Sequence, residues 1–292
     1  MEILDGKNTS LKIQNELSNK VKSLVDKGFK PPHLAAILVG DDGASRTYVE
    51  AKVKACKRIG FLSTLIKYKN NVSEDILLKK IKELNEDDQI DGFIVQLPLP
   101  AHIDDTKITL SIAPNKDVDG FHPENIGRMT LGLPTFLPAT PNGIMELFDR
   151  YNINTEGKNC VVIGRSSIVG TPMSILMSRK SKPGNATVTL AHSRTKDLKT
   201  ICKSADILIA AIGIPHFVGP DMVKDGAVVI DVGIHRIEDV SKKSGYRLIG
   251  DVIYEKVAEK CSYISPVPGG VGPMTIASLL INTFKSANEK RN

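Results

Sequence analysis

The stretch Asn159-Cys-Val-Val-Ile-Gly164-Arg-Ser-Ser-Ile-Val-Gly170 indicates a buried strand that passes through a glycine-bearing loop into a helix. In that context, backbone N–H groups and a helix N-terminus can hold a pyrophosphate. The loop departs from the G-x-G-x-x-G pattern, because Ser166 stands where the second glycine would be and Gly170 comes one residue late. The stretch therefore predicts a dinucleotide-binding loop, with a purely structural turn as the alternative.

The end of the next predicted strand, Thr187 to Ala191, bears on which dinucleotide fits. An NAD site usually has an Asp or Glu there for the ribose hydroxyls, whereas this chain continues with His-Ser193-Arg194-Thr. Together with Arg165, Ser193 and Arg194 can donate charge-assisted hydrogen bonds to a 2′-phosphate, although one of the two arginines could be merely solvated. We therefore expect NADP rather than NAD.

Outward from this stretch, predicted strands and helices alternate along both halves of the chain, which favours parallel sheets with helices on both faces. The 292 residues exceed the usual size of one domain. We expect a boundary near Leu137 to Thr140, at the end of an irregular, proline-punctuated stretch from Pro98 to Pro141. A last helix, about Met274 to Lys290, is predicted to pack back on the first domain.

The first half carries its own candidate site in Ser45-Arg-Thr-Tyr48-Val-Glu-Ala-Lys52. With Ser45 as helix N-cap, Tyr48 and Lys52 would share one face within the first two turns, beside an apolar stripe. The positive helix end and partial burial would both lower the pKa of the Lys52 amine, which makes it a candidate acid or base. The alternative is a solvated lysine beside a half-buried tyrosine.

Two further polar side chains are expected near this pair. Gln96 ends the predicted strand Gly92 to Leu97, so it should open onto the edge of the sheet where ligands bind. Asp119 lies in Lys116-Asp-Val-Asp119-Gly-Phe, within the long irregular stretch, and long loops in compact enzymes are often functional. A turn-capping role for Asp119 is the alternative.

Composition limits the classes of function. The net charge of +6 and pI near 9.0 come from lysines and arginines interleaved with 33 acidic residues, which favours an anionic small molecule over nucleic acid. The four cysteines stand alone and without histidines at metal-ligand spacing, so we expect buried free thiols and no metal. No apolar run reaches the ~18 residues of a membrane span. The acidic N-terminus has no long apolar segment either, so we expect a cytoplasmic protein with no membrane partner.

Several long segments, in this order, carry a resemblance to a known family. They are Tyr48-Val-Glu-Ala-Lys52, Val95-Gln-Leu-Pro-Leu-Pro100, Lys116-Asp-Val-Asp-Gly-Phe121, Pro138-Ala-Thr-Pro141, Gly164-Arg-Ser-Ser-Ile-Val-Gly-Thr-Pro172 and Pro266-Val-Pro-Gly-Gly-Val-Gly-Pro-Met-Thr275. Over essentially its whole length the chain resembles the bifunctional methylenetetrahydrofolate dehydrogenase/cyclohydrolase family. One small departure is Ala139, where many relatives have Cys.

The resemblance implies an α/β fold with two domains around a cleft: an N-terminal three-layer α/β domain and a Rossmann-like dinucleotide-binding domain. Residues 1–138 plus 273–292 would bind folate, and residues 139–272 would bind NADP. It also implies a homodimer joined through the second domain, with tetrahydrofolate derivatives as substrates. The enzyme would oxidise 5,10-methylenetetrahydrofolate with NADP and then hydrolyse the methenyl product to 10-formyltetrahydrofolate.

The resemblance assigns site residues in three groups. The catalytic residues would be Lys52 as base, Gln96 orienting its amine, Tyr48 holding the folate and Asp119 binding the pterin. The same four residues, with Val95, Leu97, Pro268, Gly269 and Gly270, would contact substrate. The cofactor would contact Gly164, Arg165, Ser166, Val169, Gly170, Pro172, Ser193, Arg194, Gly213 and Ile234.

Two other hypotheses stay open at this point. A short-chain dehydrogenase also uses Y-x-x-x-K beside a nicotinamide, but in that family the pair follows the glycine loop within one domain. Here Tyr48 and Lys52 precede Gly164 by more than a hundred residues. A non-catalytic nucleotide-binding protein on the same scaffold is the second alternative, because fold alone does not imply function.

Overall fold

The structure is a computed structural model, and it describes residues 1–242 and 245–290. The strands are β1 Glu2–Ile3, β2 His33–Val39, β3 Leu62–Tyr68, β4 Gly92–Val95, β5 Asn159–Ile163, β6 Thr187–Ala191, β7 Ile207–Ala210, β8 Val228–Asp231, β9 His235–Glu238, β10 Tyr246–Ile249 and β11 Tyr263–Ile264. The helices are α1 Gly6–Asp26, α2 Gly43–Ile59, α3 Glu74–Glu86, α4 Asp105–Ser111, α5 Pro123–Thr130, α6 Ala139–Arg150, α7 Gly170–Ser178, α8 Leu198–Lys203, α9 Tyr254–Ala258 and α10 Val271–Glu289, with a 3₁₀ turn at Pro220–Met222.

The chain divides into two compact units. The Lys52 unit comprises Leu11–Ala139 and the chain from Ile276 onward, and the glycine-loop unit comprises Met1–Ser10 and Thr140–Thr275. The predicted division into 1–138 plus 273–292 and 139–272 differs mainly in the first ten residues. They join the glycine-loop unit because β1 pairs in parallel with β11, and Lys7 N–H donates to Gly269 O at 2.9 Å. Residues 291 and 292 of the predicted first domain lie outside the described residues.

The Lys52 unit is built on a three-stranded parallel sheet in the order β3-β2-β4. Alternate residues of β2 face opposite sides, and both sides are buried, as expected for a parallel sheet covered by helices. One face, with Ala35 and Ile37, packs on apolar side chains of α3 and α4, while α2 contacts β2 and β3. The prediction of an N-terminal α/β domain is confirmed.

The glycine-loop unit contains a six-stranded parallel sheet in the order β1-β11-β8-β7-β5-β6. The chain passes from β5 to β6 on one side and then to β7 on the other, so the strand order reverses at β5. Its carboxyl edge is where a doubly wound sheet binds ligands. The antiparallel pair β9-β10 is a separate two-stranded sheet, and the sequence prediction missed β9.

Several predicted boundaries need correction. The stretch from Pro98 to Pro141, predicted to be irregular, contains the short helices α4 and α5, and α6 already begins at Ala139. α4 is capped by the Asp104 carboxylate, which accepts from Thr106 N–H at 2.8 Å. Both helices are short, seven and eight residues, which is too few for a clear amphipathic period to stand out in the sequence.

Within residues 1–242 and 245–290, none of the helices is long and apolar enough to span a membrane. The same residues include no group of three or more His, Cys, Asp or Glu side chains placed to hold a metal ion. The four cysteines are buried free thiols, as predicted.

Candidate active site

Lys52 lies on the buried face of α2, but the helix starts earlier than predicted. Asp42, not Ser45, is the N-cap: its carboxylate accepts from Ser45 N–H at 2.7 Å. Tyr48 and Lys52 therefore occupy the second and third turns, where the helix dipole has largely faded. Lys52 is only 3% exposed and sits in line with Val49 and Cys56, whereas the prediction placed it at the border of the apolar stripe.

The Lys52 amine has one neutral hydrogen-bond acceptor and one aromatic neighbour. Its Nζ donates to Gln96 Oε1 at 3.1 Å and lies 5.0 Å from the centre of the Tyr48 ring. Gln96 follows β4 directly and is oriented at both ends, because its backbone N–H donates to Ile37 O and its Nε2 donates to Leu97 O at 2.7 Å. The sequence prediction that these three residues meet at the sheet edge agrees with this geometry.

Burial is the main cause that lowers the pKa of Lys52. The Asp119 carboxylate acts in the opposite direction by favouring the ammonium form. Burial in turn raises the pKa of Asp119, and it raises the pKa of the neighbouring Cys56 thiol to about 12, so that thiol carries no charge at neutral pH. Both desolvation effects drive Lys52 and Asp119 toward their neutral forms.

Asp119 is placed by a loop that is fastened at several points within the Lys52 unit. The buried Asp117 carboxylate accepts from His122 N–H and from Asn125 Nδ2, each at 2.8 Å. Asn282 of α10 donates from Nδ2 to Val118 O at 2.9 Å. Asp117 thus holds the turn that carries Asp119.

The predicted substrate-binding residues fall in two different units. Val95, Leu97 and Asp119 line one small cavity of about 10 Å³ in the Lys52 unit. Pro268, Gly269 and Gly270 belong to the glycine-loop unit, where Gly270 N–H donates to Pro266 O at 2.8 Å. A Cβ on Gly270 would lie 2.6 Å from that same oxygen, so the tight turn requires glycine.

The predicted cofactor residues all follow strands of one sheet, at its carboxyl edge. Gly164 has φ +110°, and a Cβ there would lie 2.1 Å from Ala211 O, so the loops after β5 and β7 touch. A Cβ on Gly170 would lie 2.0 Å from Gly164 O, so the start of α7 packs directly on this loop. Ser166, the residue at the missing glycine, accepts through Oγ from Val169 N–H at 3.2 Å and so fastens the loop. Pro172 is buried in the first turn of α7.

Arg165, Ser193 and Arg194 are exposed at the same edge, because β5 and β6 are parallel neighbours in register from Asn159 to Ile163. Gly213, with φ +73°, follows β7, and Ile234, 58% exposed, follows β8. The edge therefore brings together loops from four strands, with cationic side chains at the β5-β6 side.

Sequence reasoning missed a buried acidic pair beneath this edge. Asp231 ends β8, Asp251 follows β10, and their side chains accept backbone N–H groups from the loops around them. Burial raises the pKa of Asp231 to about 7. An aspartate at the end of a buried strand was the available sequence signal, since a charge there needs a specific partner.

A glycine loop at the switch point of a parallel sheet, together with a buried amine in a separate unit, defines a dinucleotide-dependent α/β enzyme. The tetrahydrofolate dehydrogenase/cyclohydrolase catalytic-domain model matches residues 4–119, and the NAD(P)-binding-domain model of the same family matches residues 138–291. The bifunctional protein FolD of Cytophaga hutchinsonii is 64% identical over 98% of this chain and 99% of its own length.

Comparison with solved structures points to the same family. The bifunctional FolD enzyme of Campylobacter jejuni is 49% identical, with a TM-score of 0.92 over 99% of both chains. The Trypanosoma brucei methylenetetrahydrofolate dehydrogenase-cyclohydrolase, solved with NADP cofactor and inhibitor, is 36% identical, with a TM-score of 0.93 over 99% of this chain and 97% of its own. The chain belongs to the tetrahydrofolate dehydrogenase/cyclohydrolase family and is a bifunctional enzyme of that family, as the resemblance implied. The short-chain and non-catalytic alternatives are wrong.

The Asp119–Lys52 coupling gives a prediction about pH. Asp119→Asn removes the carboxylate that favours the ammonium form, so Lys52 should lose its proton at lower pH. We expect the acid limb of the pH profile of kcat/KM for methenyltetrahydrofolate hydrolysis to move to lower pH. This shift is independent of any change in the maximum value of kcat/KM. Asp105→Asn, an exposed aspartate on α4, is the control and should leave the limb in place. A limb that stays or moves to higher pH in Asp119→Asn would contradict the coupling.

Proposed function

We propose that this chain oxidises 5,10-methylenetetrahydrofolate with NADP and hydrolyses the methenyl product to 10-formyltetrahydrofolate, with Lys52 as the base of the second step. The observation that carries the proposal is the buried Lys52 amine, hydrogen-bonded to the neutral Gln96 at 3.1 Å. A base must be unprotonated near neutral pH, and burial lowers the pKa of this amine.

The residues at the sheet edge of the glycine-loop unit fit NADP. Gly164 and Gly170 pack so closely that no side chain would fit between loop and helix, so a pyrophosphate can approach the backbone of this loop. In the described part of the chain, neither Arg165 nor Arg194 is ion-paired, so both guanidiniums are available for a 2′-phosphate. The relative from Trypanosoma brucei was solved with NADP, which supports the same choice.

When bound, NADP supplies the acceptor for the hydride that leaves the bridging methylene carbon. The folate nitrogens flanking that carbon stabilise the resulting cation, so the protein contributes position more than proton transfer. Tyr48, half-buried on α2, would stack on or hydrogen-bond the folate. The two oxygens of Asp119, once ionised, match the 2-amino and ring N–H donors of a pterin.

The hydrolysis step requires a base, and Lys52 has that role in the proposal. The neutral amine takes a proton from water as the water oxygen bonds to the methenyl carbon. The ammonium then returns that proton to the ring nitrogen as its bond to this carbon breaks, and the remaining hydroxyl proton is released to solvent as the formyl C=O forms. Gln96 Oε1 orients the amine through its N–H groups and adds no charge that would hold the ammonium form. Lys52 should therefore matter more for water addition than for hydride transfer, and Tyr48 more for holding folate.

We further propose that the enzyme is a homodimer joined through the second domain and works in the cytoplasm. The dimer rests on the family resemblance, and the four buried free thiols support a reducing compartment. Sedimentation of the purified chain at the monomer mass of 31.7 kDa would exclude the dimer.

Substituting Lys52 separates the two activities. Lys52→Met keeps most of the apolar stem of the side chain and removes the base, so hydrolysis of methenyltetrahydrofolate should fall by at least ~100-fold. The Kd for NADP, measured by calorimetry, should change less than about twofold, because the cofactor residues lie in the other unit. Lys54→Met, an exposed lysine on the same helix, is the control. Normal hydrolysis by Lys52→Met would remove Lys52 from the mechanism.

Cofactor choice has a separate test. The double variant Arg165→Ala, Arg194→Ala loses charged hydrogen bonds worth roughly 1.5–3 kcal/mol each, so KM for NADP should rise by at least ~100-fold. KM for NAD, which lacks the 2′-phosphate, should change much less. Lys180→Ala, an exposed lysine just beyond the C-terminal end of α7, should behave as wild type. Equal increases in KM for NADP and for NAD would contradict the assignment of the two arginines to the 2′-phosphate.

A further inference from the structure

The buried carboxylate of Asp251 ties together the loops that follow two adjacent strands. Its Oδ2 accepts from Ile212 N–H at 2.8 Å and from Gly213 N–H at 3.0 Å, both in the loop after β7. Its Oδ1 lies 2.8 Å from His235 Nε2, at the start of β9. Asp251 has no exposed surface, so these three groups compensate its desolvation.

Asp231 extends the same network to the loop after β8. Its carboxylate accepts from Gly233 N–H at 3.0 Å, Asp251 N–H at 2.9 Å and Val252 N–H at 3.0 Å. The backbone at Gly233 and Gly250 lies so close to the two carboxylates that no side chain would fit there. A Cβ on Gly233 would lie 2.2 Å from Asp251 Oδ1, and one on Gly250 would lie 1.8 Å from Asp231 Oδ2. The buried carboxylates of Asp231 and Asp251 thus hold the loops after β7 and β8 through backbone hydrogen bonds.

Both loops present residues that the proposed function assigns to the cofactor. Gly213 and Ile234 are exposed, while the backbone amides of Ile212, Gly213 and Gly233 point inward to the two carboxylates. In a doubly wound sheet the two halves of a dinucleotide lie on opposite sides of the switch point. Arg165 and Arg194 mark the β5-β6 side for the adenosine half, which leaves the loops after β7 and β8 for the nicotinamide half.

We infer that Asp251 is a positioning residue for hydride transfer: with Asp231 and His235, it holds the loops after β7 and β8 against the nicotinamide half of the cofactor. This inference rests on the proposed function, since it requires NADP at this edge. The adenosine half keeps its own contacts, so loosening these loops should misplace the reacting carbon while leaving most of the binding intact. A misplacement of about 1 Å can cost roughly 100-fold in rate.

The test compares KM with kcat in Asp251→Asn, which keeps the size of the side chain and removes its charge. We expect kcat of the dehydrogenase to fall at least ~10-fold, with KM for NADP within about threefold of wild type. Hydrolysis of methenyltetrahydrofolate supplied directly, without dinucleotide, should stay within about twofold. Asp225→Asn, an exposed aspartate at the opposite edge of the sheet, is the matched control. Unchanged dehydrogenase kcat, or a parallel fall in both activities, would overturn the inference.

His235 offers a second readout if Asp251→Asn does not fold. His235→Gln keeps an N–H donor for Asp251 and should retain wild-type dehydrogenase kcat, whereas His235→Ala should lower it by at least ~3-fold. Equal kcat values for the two variants would also contradict the inference. Failure of the proposed function would look different. The wild-type enzyme would then show no preference for NADP over NAD, or the Lys52→Met variant would hydrolyse methenyltetrahydrofolate normally.

Discussion

The burial of the Lys52 amine is the constraint on which the proposed chemistry depends. A charged ammonium away from water is costly, and the cost is met either by a counter-ion or by loss of the proton. In this structure the hydrogen-bonding neighbour is the neutral Gln96, and the nearby acid, Asp119, is itself partly desolvated. The surroundings of Lys52 thus favour a free amine, which is what activation of water requires.

The two units differ in the chemistry that their residues can support. The Lys52 unit holds a titratable amine in apolar surroundings, where proton transfer can be tuned by burial. The glycine-loop unit uses closely packed glycines, backbone amides and exposed arginines, which suit a large anion that has to be held in one orientation. Asp231 and Asp251 add rigidity to that unit without contributing to its exposed surface.

The sequence predicted most of the framework because parallel strands and long helices have strong periods. β5 and β6 begin and end where the sequence predicted, and the edge that carries Tyr48, Lys52 and Gln96 follows from strand direction alone. Asp42 rather than Ser45 caps α2, a difference of three residues that moved the pair away from the helix end. Caps of this kind depend on tertiary position, which local sequence does not determine.

Other features depended on contacts between distant residues. The pairing of Glu2–Ile3 with Tyr263–Ile264 involves strands of two residues each, too short for any pattern, so the sequence did not indicate that the first ten residues group with Thr140–Thr275. The Asp251–His235 contact spans 16 residues, and Asp251 reaches back 39 residues to Ile212. No local period links such positions, whereas the parallel sheet edge brings them together.

A titration of the Lys52 side chain measures the protonation state of this amine directly. In protein labelled with ¹³C at lysine Cε, the Lys52 resonance is assigned by its absence in Lys52→Met and followed with pH in the free enzyme. We expect a midpoint clearly below those of the exposed lysines, because burial disfavours the ammonium form. A midpoint that coincides with the exposed lysines would show a charged Lys52 at neutral pH and contradict its role as a base.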